Sequence, residues 1–370
     1  MASPHHLLNT SWTSHRLSPL HHGLEHDALL NNPVALETYA TRLRDHLTNS
    51  LADAQGWRAA EDDPTTALSA IGALQYCTWE PISTLSFLSS QGVHEDEPQD
   101  QDREPAGLLI TLSYETITYR AALLAPPGVR PQSQKKARKR GRPSKVSSSS
   151  SSTCLPLLLT RLPKSLRESF IAFLSSNFDT YVSSLRISSA GLCDVLESYV
   201  SSVTSSTTSS SASVEDIIRE MHLALSFAPP IAPSLKVLNV SIPRETLTSF
   251  LRTSDSSIGS SGRAGMGSSV LSGLSEYLQK HLALELGLPL PFPTSGAGGS
   301  GSLVGGYIRL TKVACAGFVV TGEGRLKVVA KVGEGSEDGK SMGALRAGEA
   351  LVKAILERAG SGFDREEEQD

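Results

Sequence analysis

A basic stretch is the part of the sequence whose residue types point most directly to chemistry. Seven positive charges lie in the segment QKKARKRGRPSK, on Lys135, Lys136, Arg138, Lys139, Arg140, Arg142 and Lys145. Its core, Arg140-Gly141-Arg142-Pro143, matches the AT-hook pattern. In that pattern two guanidinium groups lie along a narrow A·T minor groove, glycine keeps the backbone close to the DNA and proline holds it extended. The same charges also satisfy a nuclear localisation signal that never touches DNA, so both interpretations predict a nuclear protein.

The positive charge is confined to a small part of the chain. The formal net charge of the 370 residues is −4, and without these seven charges it would stand at −11. Because the rest of the chain is acidic, we do not expect its whole surface to bind nucleic acid. Attraction to phosphates must come from particular segments.

The cysteines and histidines do not form a recognisable metal site. Four cysteines, Cys77, Cys154, Cys193 and Cys315, lie far apart with no CxxC pair, which predicts a reduced intracellular protein. Six histidines fall in the first 26 residues, but Pro4 and Pro19 interrupt any helix that would align them, and no acidic or cysteine set accompanies them. We therefore expect no metal and no cofactor.

The sequence also has no long apolar run and no signal peptide, which predicts no membrane contact.

Two glycine-rich segments depart from the phosphate-binding loops that they resemble. GAGGSG at 296–301 follows PLPFPTS, which cannot form the strand that a dinucleotide-binding loop needs. VGEGSEDGKS at 332–341 has Glu334 where a phosphate-binding loop needs glycine, and Glu337 and Asp338 would face the phosphates. No catalytic motif is present either, so an interaction protein is favoured over an enzyme of nucleotide chemistry, and we assign no catalytic residue.

Apolar residues at helical spacing predict five helices that would position these segments. The residues are Leu36, Tyr39, Ala40, Leu43 and Leu47; Leu166, Phe170, Phe173, Leu174 and Tyr181; Val214, Ile217, Ile218, Met221 and Leu225; Leu271, Leu274, Tyr277, Leu278 and Leu282; and the run from Leu345 to Ala359, which ends at Gly360.

Strand patterns alternate with these helices. Residues 107–124 predict one or two strands, SLKVLNVSIP predicts a strand with a bulge near Val237, and residues 307–332 predict strands around a turn at Thr321–Gly324. Three polar stretches, 94–104, 201–213 and 253–269, have too few apolar residues to fold. Strands mixed with helices without strict βαβ order predict an α+β fold with mainly antiparallel sheets and low-complexity insertions.

Composition divides the chain into six segments. We predict an N-terminal α+β domain (1–125), a basic AT-hook-like and serine-rich linker (126–153), a middle α+β segment (154–252), a flexible linker (253–269), a C-terminal helix and sheet region that binds a partner (270–360) and an acidic tail (361–370).

Four stretches, in this order, resemble the centromere protein L family of the inner kinetochore. They are SWTSHRLSPLHHG, STCLPLLLTRLPKSLRESFIAFLSSNFDTYVSSLRIS, LSFAPPIAPSLKVLNVSIP and YIRLTKVACAGFVVTGEGRLKVV. The resemblance implies a non-enzymatic scaffold at the centromere, with curved antiparallel sheets flanked by helices. It also implies pairing with centromere protein N, contact with other inner-kinetochore subunits and anchorage on the centromeric nucleosome for chromosome segregation.

The resemblance places the pairing surface on the C-terminal sheet. The residues concerned are Leu310, Val313, Phe318, Val319, Leu326 and Val328. They could equally pack under the helix at 345–359 within the monomer. The polar side of the same segment carries Arg309, Lys312, Arg325, Lys327 and Lys331, which could line a path for DNA phosphates or form an ordinary solvated face.

Two alternatives stay open. The family does not require an AT-hook, and the basic stretch lies in an insertion between LLAPPG and STCLPLLL. An AT-hook chromatin or transcription-associated protein that binds A·T-rich DNA is therefore the alternative function. Homodimerisation is the alternative to pairing with a different protein.

Overall fold

The computed structural model describes most of the predicted helices and strands. It describes residues 2–23, 26, 28–57, 72–87, 105–126, 152–207, 217–227, 234–247, 270–281, 308–330 and 339–361. The AT-hook-like residues Lys135, Lys136, Arg138, Lys139, Arg140, Gly141, Arg142, Pro143 and Lys145 lie outside these ranges, as do Val214, Leu282, Lys331, the 94–104 and 253–269 stretches and the 296–301 loop.

The described residues include thirteen strands, five α-helices and a short 3-10 helix (Pro4–Leu7). The strands are β1 (Ser11–Leu17), β2 (Leu20–His21), β3 (Leu74–Ile82), β4 (Gly107–Tyr114), β5 (Thr118–Leu124), β6 (Ser152–Thr153), β7 (Leu157–Arg161), β8 (Val182–Ser184), β9 (Met221–Phe227), β10 (Val237–Ile242), β11 (Ile308–Ala314), β12 (Phe318–Thr321) and β13 (Arg325–Val328). The helices are α1 (Pro33–Trp57), α2 (Lys164–Phe178), α3 (Ser189–Thr207), α4 (Val270–His281) and α5 (Gly339–Gly360).

One large sheet organises the molecule. Eleven strands join it in the order β10-β9-β11-β12-β13-β1-β7-β5-β4-β3, with β8 also paired to β1, and every one of these strand pairs is antiparallel. The fold is α+β as predicted, but the sheet is open and uncurled, so the curvature that the resemblance implied is not seen in the described strands. Strands from all three predicted folded segments join this sheet, while β2 and β6 form a separate small pair.

Strands β4, β5 and β7 are buried on both faces. Leu108 and Ile110 contribute to the apolar cluster under α1 and α2, whereas Leu109 between them contributes to the cluster under α3, α4 and α5. Successive strand residues point to opposite faces, so a strand covered on both sides must be apolar almost throughout. This explains the apolar runs at 107–112, 121–125 and 155–159.

Helix α1 confirms the first predicted helix. Its five predicted apolar residues are all buried, and Asn32 precedes it with a side-chain oxygen that accepts a hydrogen bond from the Ala35 backbone N–H at 3.1 Å. That contact satisfies one of the free N–H groups at the start of the helix. The predicted helices at 166–174, 271–278 and 345–360 are also confirmed, as α2, α4 and α5.

The predicted helix through Ile217, Ile218, Met221 and Leu225 is confirmed only in part: Ile217 and Ile218 are helical, but Met221 and Leu225 are not. Met221 and Leu225 lie in β9, where they pair with Ile242 and Leu238 of β10. A spacing of four residues satisfies a strand as well as a helix, and pairing with neighbours on both edges decides for the strand. Tyr181 does not belong to α2 either, because Asp179, in the left-handed region at φ 45°, follows the end of the helix and Tyr181 is 70% exposed.

Two smaller predictions also need correction. Residues 201–207 were expected to be unstructured, but they continue α3, whose Val203 is fully buried. The bulge expected near Val237 is absent from the β9–β10 pairing, which is regular from Val237 to Ile242. A register shift lies instead in β11, between Leu310 and Lys312.

Candidate functional site

The five strands from β9 to β13 have one covered face and one open face. Apolar residues on the covered face pack against α3, α4 and α5. The opposite side chains, which we call the open face, are carried by Val237, Asn239 and Ser241 of β10; His222, Ala224 and Ser226 of β9; Arg309, Lys312 and Ala314 of β11; Val319 and Thr321 of β12; and Arg325 and Lys327 of β13. This alternation makes the C-terminal half of the sheet amphipathic.

Four cations lie together on the open face. Arg309, Lys312 and Arg325 are exposed, and Lys327 is half-exposed. Lys312 is opposite Thr321, and Lys327 is opposite Val319 on one side and Ser11 on the other. The open-face residues just named include no carboxylate, so the four positive charges are not neutralised by a carboxylate within the set.

The acidic residues closest in sequence lie at the margins of this face. Glu220 precedes β9, and its carboxylate is 3.7 Å from Nε2 of His222. Glu323 is exposed in the turn between β12 and β13. Because Glu220 and Glu323 lie at the margins, the centre of the open face stays positively charged. Positive charge there favours an anionic ligand.

A bulge brings Arg309 and Lys312 onto the same face. In a regular strand, residues three apart point to opposite faces. Here Arg309 is opposite Ser226 and Lys312 is opposite Ala224, because the register shifts by one residue between Leu310 and Lys312. The Thr311 hydroxyl donates to the Ala224 carbonyl at 3.0 Å and helps to hold the bulge.

The turn between β12 and β13 positions Arg325. The backbone N–H of Arg325 donates to Thr321 Oγ1 at 3.1 Å, and that of Gly324 donates to the Thr321 carbonyl at 3.0 Å. Gly324 has φ +78°, and a Cβ there would lie 2.3 Å from the Leu185 carbonyl oxygen. Glycine is therefore required for a turn that packs this closely on the neighbouring chain segment.

Most of the residues expected to bind the partner lie in the core. Leu310, Val313, Phe318, Leu326 and Val328 are at most 3% exposed and belong to the cluster under α3 and α5. The Phe318 ring packs on Tyr199 of α3, with ring centroids 4.6 Å apart. Val319, the sixth residue expected to bind the partner, is half-exposed on the open face opposite Lys327. A partner can therefore reach Val319 in this conformation.

Strand β10 forms one edge of the sheet. Among the described residues it pairs with β9 alone. Leu235 and Val237 at its start are 43% and 50% exposed, and Leu238 and Val240 are half-buried. An edge strand with exposed apolar side chains is a template on which another chain can add a strand.

Two histidines of the N-terminal segment, His15 and His22, have structural partners. His15 is buried in β1 within hydrogen-bonding distance of Thr160 Oγ1 at 3.3 Å, and burial lowers its pKa to about 4. Burial also lowers the pKa of His22, which contacts the His26 carbonyl at 2.8 Å and Thr153 Oγ1 at 3.2 Å. No group of three or more potential metal ligands occurs in the described part of the chain.

The cysteine thiols are not activated. Burial raises the pKa of Cys77 and of Cys193 to about 12 and that of Cys315 to about 11, so these groups stay protonated and weakly nucleophilic at neutral pH.

None of the described helices combines the length and the apolar character that a membrane span needs.

Comparison with known proteins identifies the family of the chain. A search of curated proteins finds no match to the chain. The sequence model of one family, centromere protein L, matches residues 6–360, which include nearly all of the described structure. The chain therefore belongs to the centromere protein L family, a nuclear structural family of the inner kinetochore that is not known as an enzyme family.

Proposed function

We propose that this chain pairs with centromere protein N through the C-terminal sheet and helps to hold the inner kinetochore on centromeric chromatin. The amphipathic half-sheet supports the proposal: its covered face is anchored by α3 and α5, and the cations of its open face and the β10 edge are presented to solvent. The buried residues Leu310, Phe318 and Val328 then act as the support of the surface, and strand edge and open face make the contacts.

Strand addition at β10 is the proposed mode of pairing. The Phe227 N–H donates to the Lys236 carbonyl, so Lys236 and the alternate residues Leu238, Val240 and Ile242 direct their backbone groups towards β9. It follows that the backbone groups of Val237, Asn239 and Ser241 point away from the sheet. A partner strand could bond to these groups, and the apolar side chains beside them would add specificity.

Backbone phosphates are the proposed ligand of the four cations. Lys312 and Arg325 lie two strands apart, which corresponds to about 10 Å, and Arg325 and Lys327 are separated by about 7 Å along β13. Cations at this spacing on a rigid sheet can contact several phosphates of one duplex without reading its sequence. Sequence-tolerant binding suits a scaffold that must sit on chromatin.

The experiment is a DNA-binding titration with the co-purified pair of this chain and centromere protein N. A fluorescent duplex is titrated at several salt concentrations with the unchanged pair and with a pair that carries Arg325→Glu and Lys327→Glu. Weaker binding with a smaller salt dependence supports the phosphate contact, whereas unchanged affinity and salt dependence contradict it.

The basic stretch supports a second candidate function, A·T-selective DNA contact. Arg140-Gly141-Arg142-Pro143 matches the AT-hook core, and its flanking lysines add phosphate attraction. We propose it as an accessory to the folded sheet. Deleting 134–145 while supplying a separate nuclear import signal tests this order: recovery of centromere protein N supports an accessory role, and loss of it with only bulk chromatin recovered would make the AT-hook function primary.

A further inference from the structure

The opposite edge of the sheet, strand β3, is a second place where backbone groups are available. Among the described residues β3 pairs along its length with β4 only, and its outer side meets Ala2 at one end. Ala2 forms a parallel bridge with Ile82, and its N–H donates to the Pro81 carbonyl at 2.9 Å. This contact shows that a backbone carbonyl on the outer side of β3 accepts a hydrogen bond from another segment.

The same contact identifies the outward groups. Because the Pro81 carbonyl points away from β4, the alternate residues Trp79 and Cys77 also direct their backbone N–H and C=O groups outward. The register is regular from Tyr76 to Ile82, with an irregularity only between Leu74 and Tyr76. The free length next to Ala2 is therefore about five residues, enough for a short strand.

A groove runs beside this free edge. It is a cavity of about 580 Å³ between the first turns of α1 and strand β3. The apolar part of its lining includes Leu36, Ala40 and Trp79, and its rim includes Asn31 and Glu37. Free backbone groups beside an apolar groove are the two features that strand-addition sites combine.

The charge of the lining specifies the occupant further. Among the described residues that line the groove, Glu37 is the one charged residue, and it is exposed to solvent. A carboxylate at the rim of an otherwise apolar groove complements a basic side chain. The alternation of a strand allows apolar and basic residues on one side of a peptide to reach the groove together.

We propose that β3 and this groove bind an extended segment of a second protein partner, with apolar side chains in the groove and a lysine or arginine beside Glu37. The segment adds to the sheet next to Ala2 and bonds to the backbone of Cys77 and Trp79. Since β3 and β10 are the two ends of one sheet, this contact is independent of the pairing proposed at β10. The chain would then connect two partners across one rigid sheet.

The test uses the full chain and a labelled peptide, acetyl-TVTVTKT-amide, with acetyl-TVTVTET-amide as the matched probe. Fluorescence anisotropy measures the affinity of each peptide. We expect the lysine peptide to bind about tenfold more tightly than the glutamate peptide, because a rim attraction becomes a repulsion of similar size. The variant Glu37→Lys should reverse this preference, and Glu168→Lys on the exposed surface of α2 should leave it unchanged.

Hydrogen exchange locates the peptide on the chain. Saturation with the lysine peptide should slow exchange of the Cys77 and Trp79 amides, with no change at β10. Three results would overturn the proposal: equal affinity for both peptides, protection that excludes β3, or protection of β3 that grows with the concentration of the chain alone. The last result would assign the edge to a second copy of this chain.

Discussion

Arg309 and Lys312 point to the same side of strand β11 because the strand bulges between them. Their cross-strand neighbours, Ser226 and Ala224, are two residues apart on the regular strand β9, whereas the two cations are three apart on β11. Without the bulge, one of the two positive side chains would point into the core. The bulge is thus the local feature that concentrates positive charge on the open face.

DNA binding by the pair with centromere protein N should depend on β13. We expect Arg325→Glu together with Lys327→Glu to lower the slope of log affinity against log salt by about two, since each lost phosphate contact removes roughly one counterion. The control is Arg346→Glu, an exposed residue of α5 on the other side of the sheet. A similar loss in the control would mean that net charge, not the open face, decides affinity.

Pairing with centromere protein N should depend on the outward backbone of β10. Asn239→Pro removes an N–H that points away from β9, so we expect the β9–β10 ladder to persist and the affinity for centromere protein N to fall by at least about tenfold, as one outward bond is lost and the proline ring blocks the edge. Asn239→Ala keeps the N–H and should bind normally. Affinity is measured with purified components, and normal binding by the proline variant would contradict strand addition at β10.

The turn that positions Arg325 should be sensitive to a single methyl group. Gly324→Ala places a Cβ against the Leu185 carbonyl at a positive φ, so we expect the free energy of unfolding to fall by about 1–3 kcal/mol. Gly360→Ala is the matched control, because a Cβ there has nothing within 4 Å. Urea denaturation of both variants measures the difference, and equal stabilities would show that the turn tolerates a side chain.

Stability should decrease in acid partly because of His15. Its folded pKa of about 4 lies below the ordinary value of 6.5, so the unfolded chain binds a proton that the folded chain excludes. The corresponding stability is fully present above about pH 6.5 and is lost as the pH falls to about 4, with an upper limit of roughly 3 kcal/mol. His15→Gln keeps a hydrogen-bonding group near Thr160 and should flatten the pH dependence of unfolding; an unchanged slope would contradict the assignment.

The sequence predicted elements best where one periodicity dominates. Leu36 to Leu47 fit a helix and no strand, and α1 forms there. Met221 and Leu225 fit both periodicities, and only pairing with β10 and β11, which are distant in sequence, makes them a strand. Tertiary pairing of this kind cannot be deduced from a local pattern.

The candidate site was predicted in part. Alternation correctly separated the cations of β11 and β13 from Leu310 and Leu326, but it could not tell whether the apolar side faces a partner or the core. Helix α3, which covers Phe318 through Tyr199, was not predicted because its serine-rich end obscured the helical spacing of Leu192, Leu196, Tyr199 and Val203. The edge groove at β3 also escaped prediction, since it depends on contact between the start of α1 and a strand that follows much later in the chain.

Hydrogen exchange on this chain with and without centromere protein N tests the central claim most directly. The account predicts slower exchange of the outward amides of Val237, Asn239 and Ser241 in the pair, with further protection along the open face. Protection confined to other parts of the chain, with the β10 amides exchanging as fast as in the free protein, would contradict it.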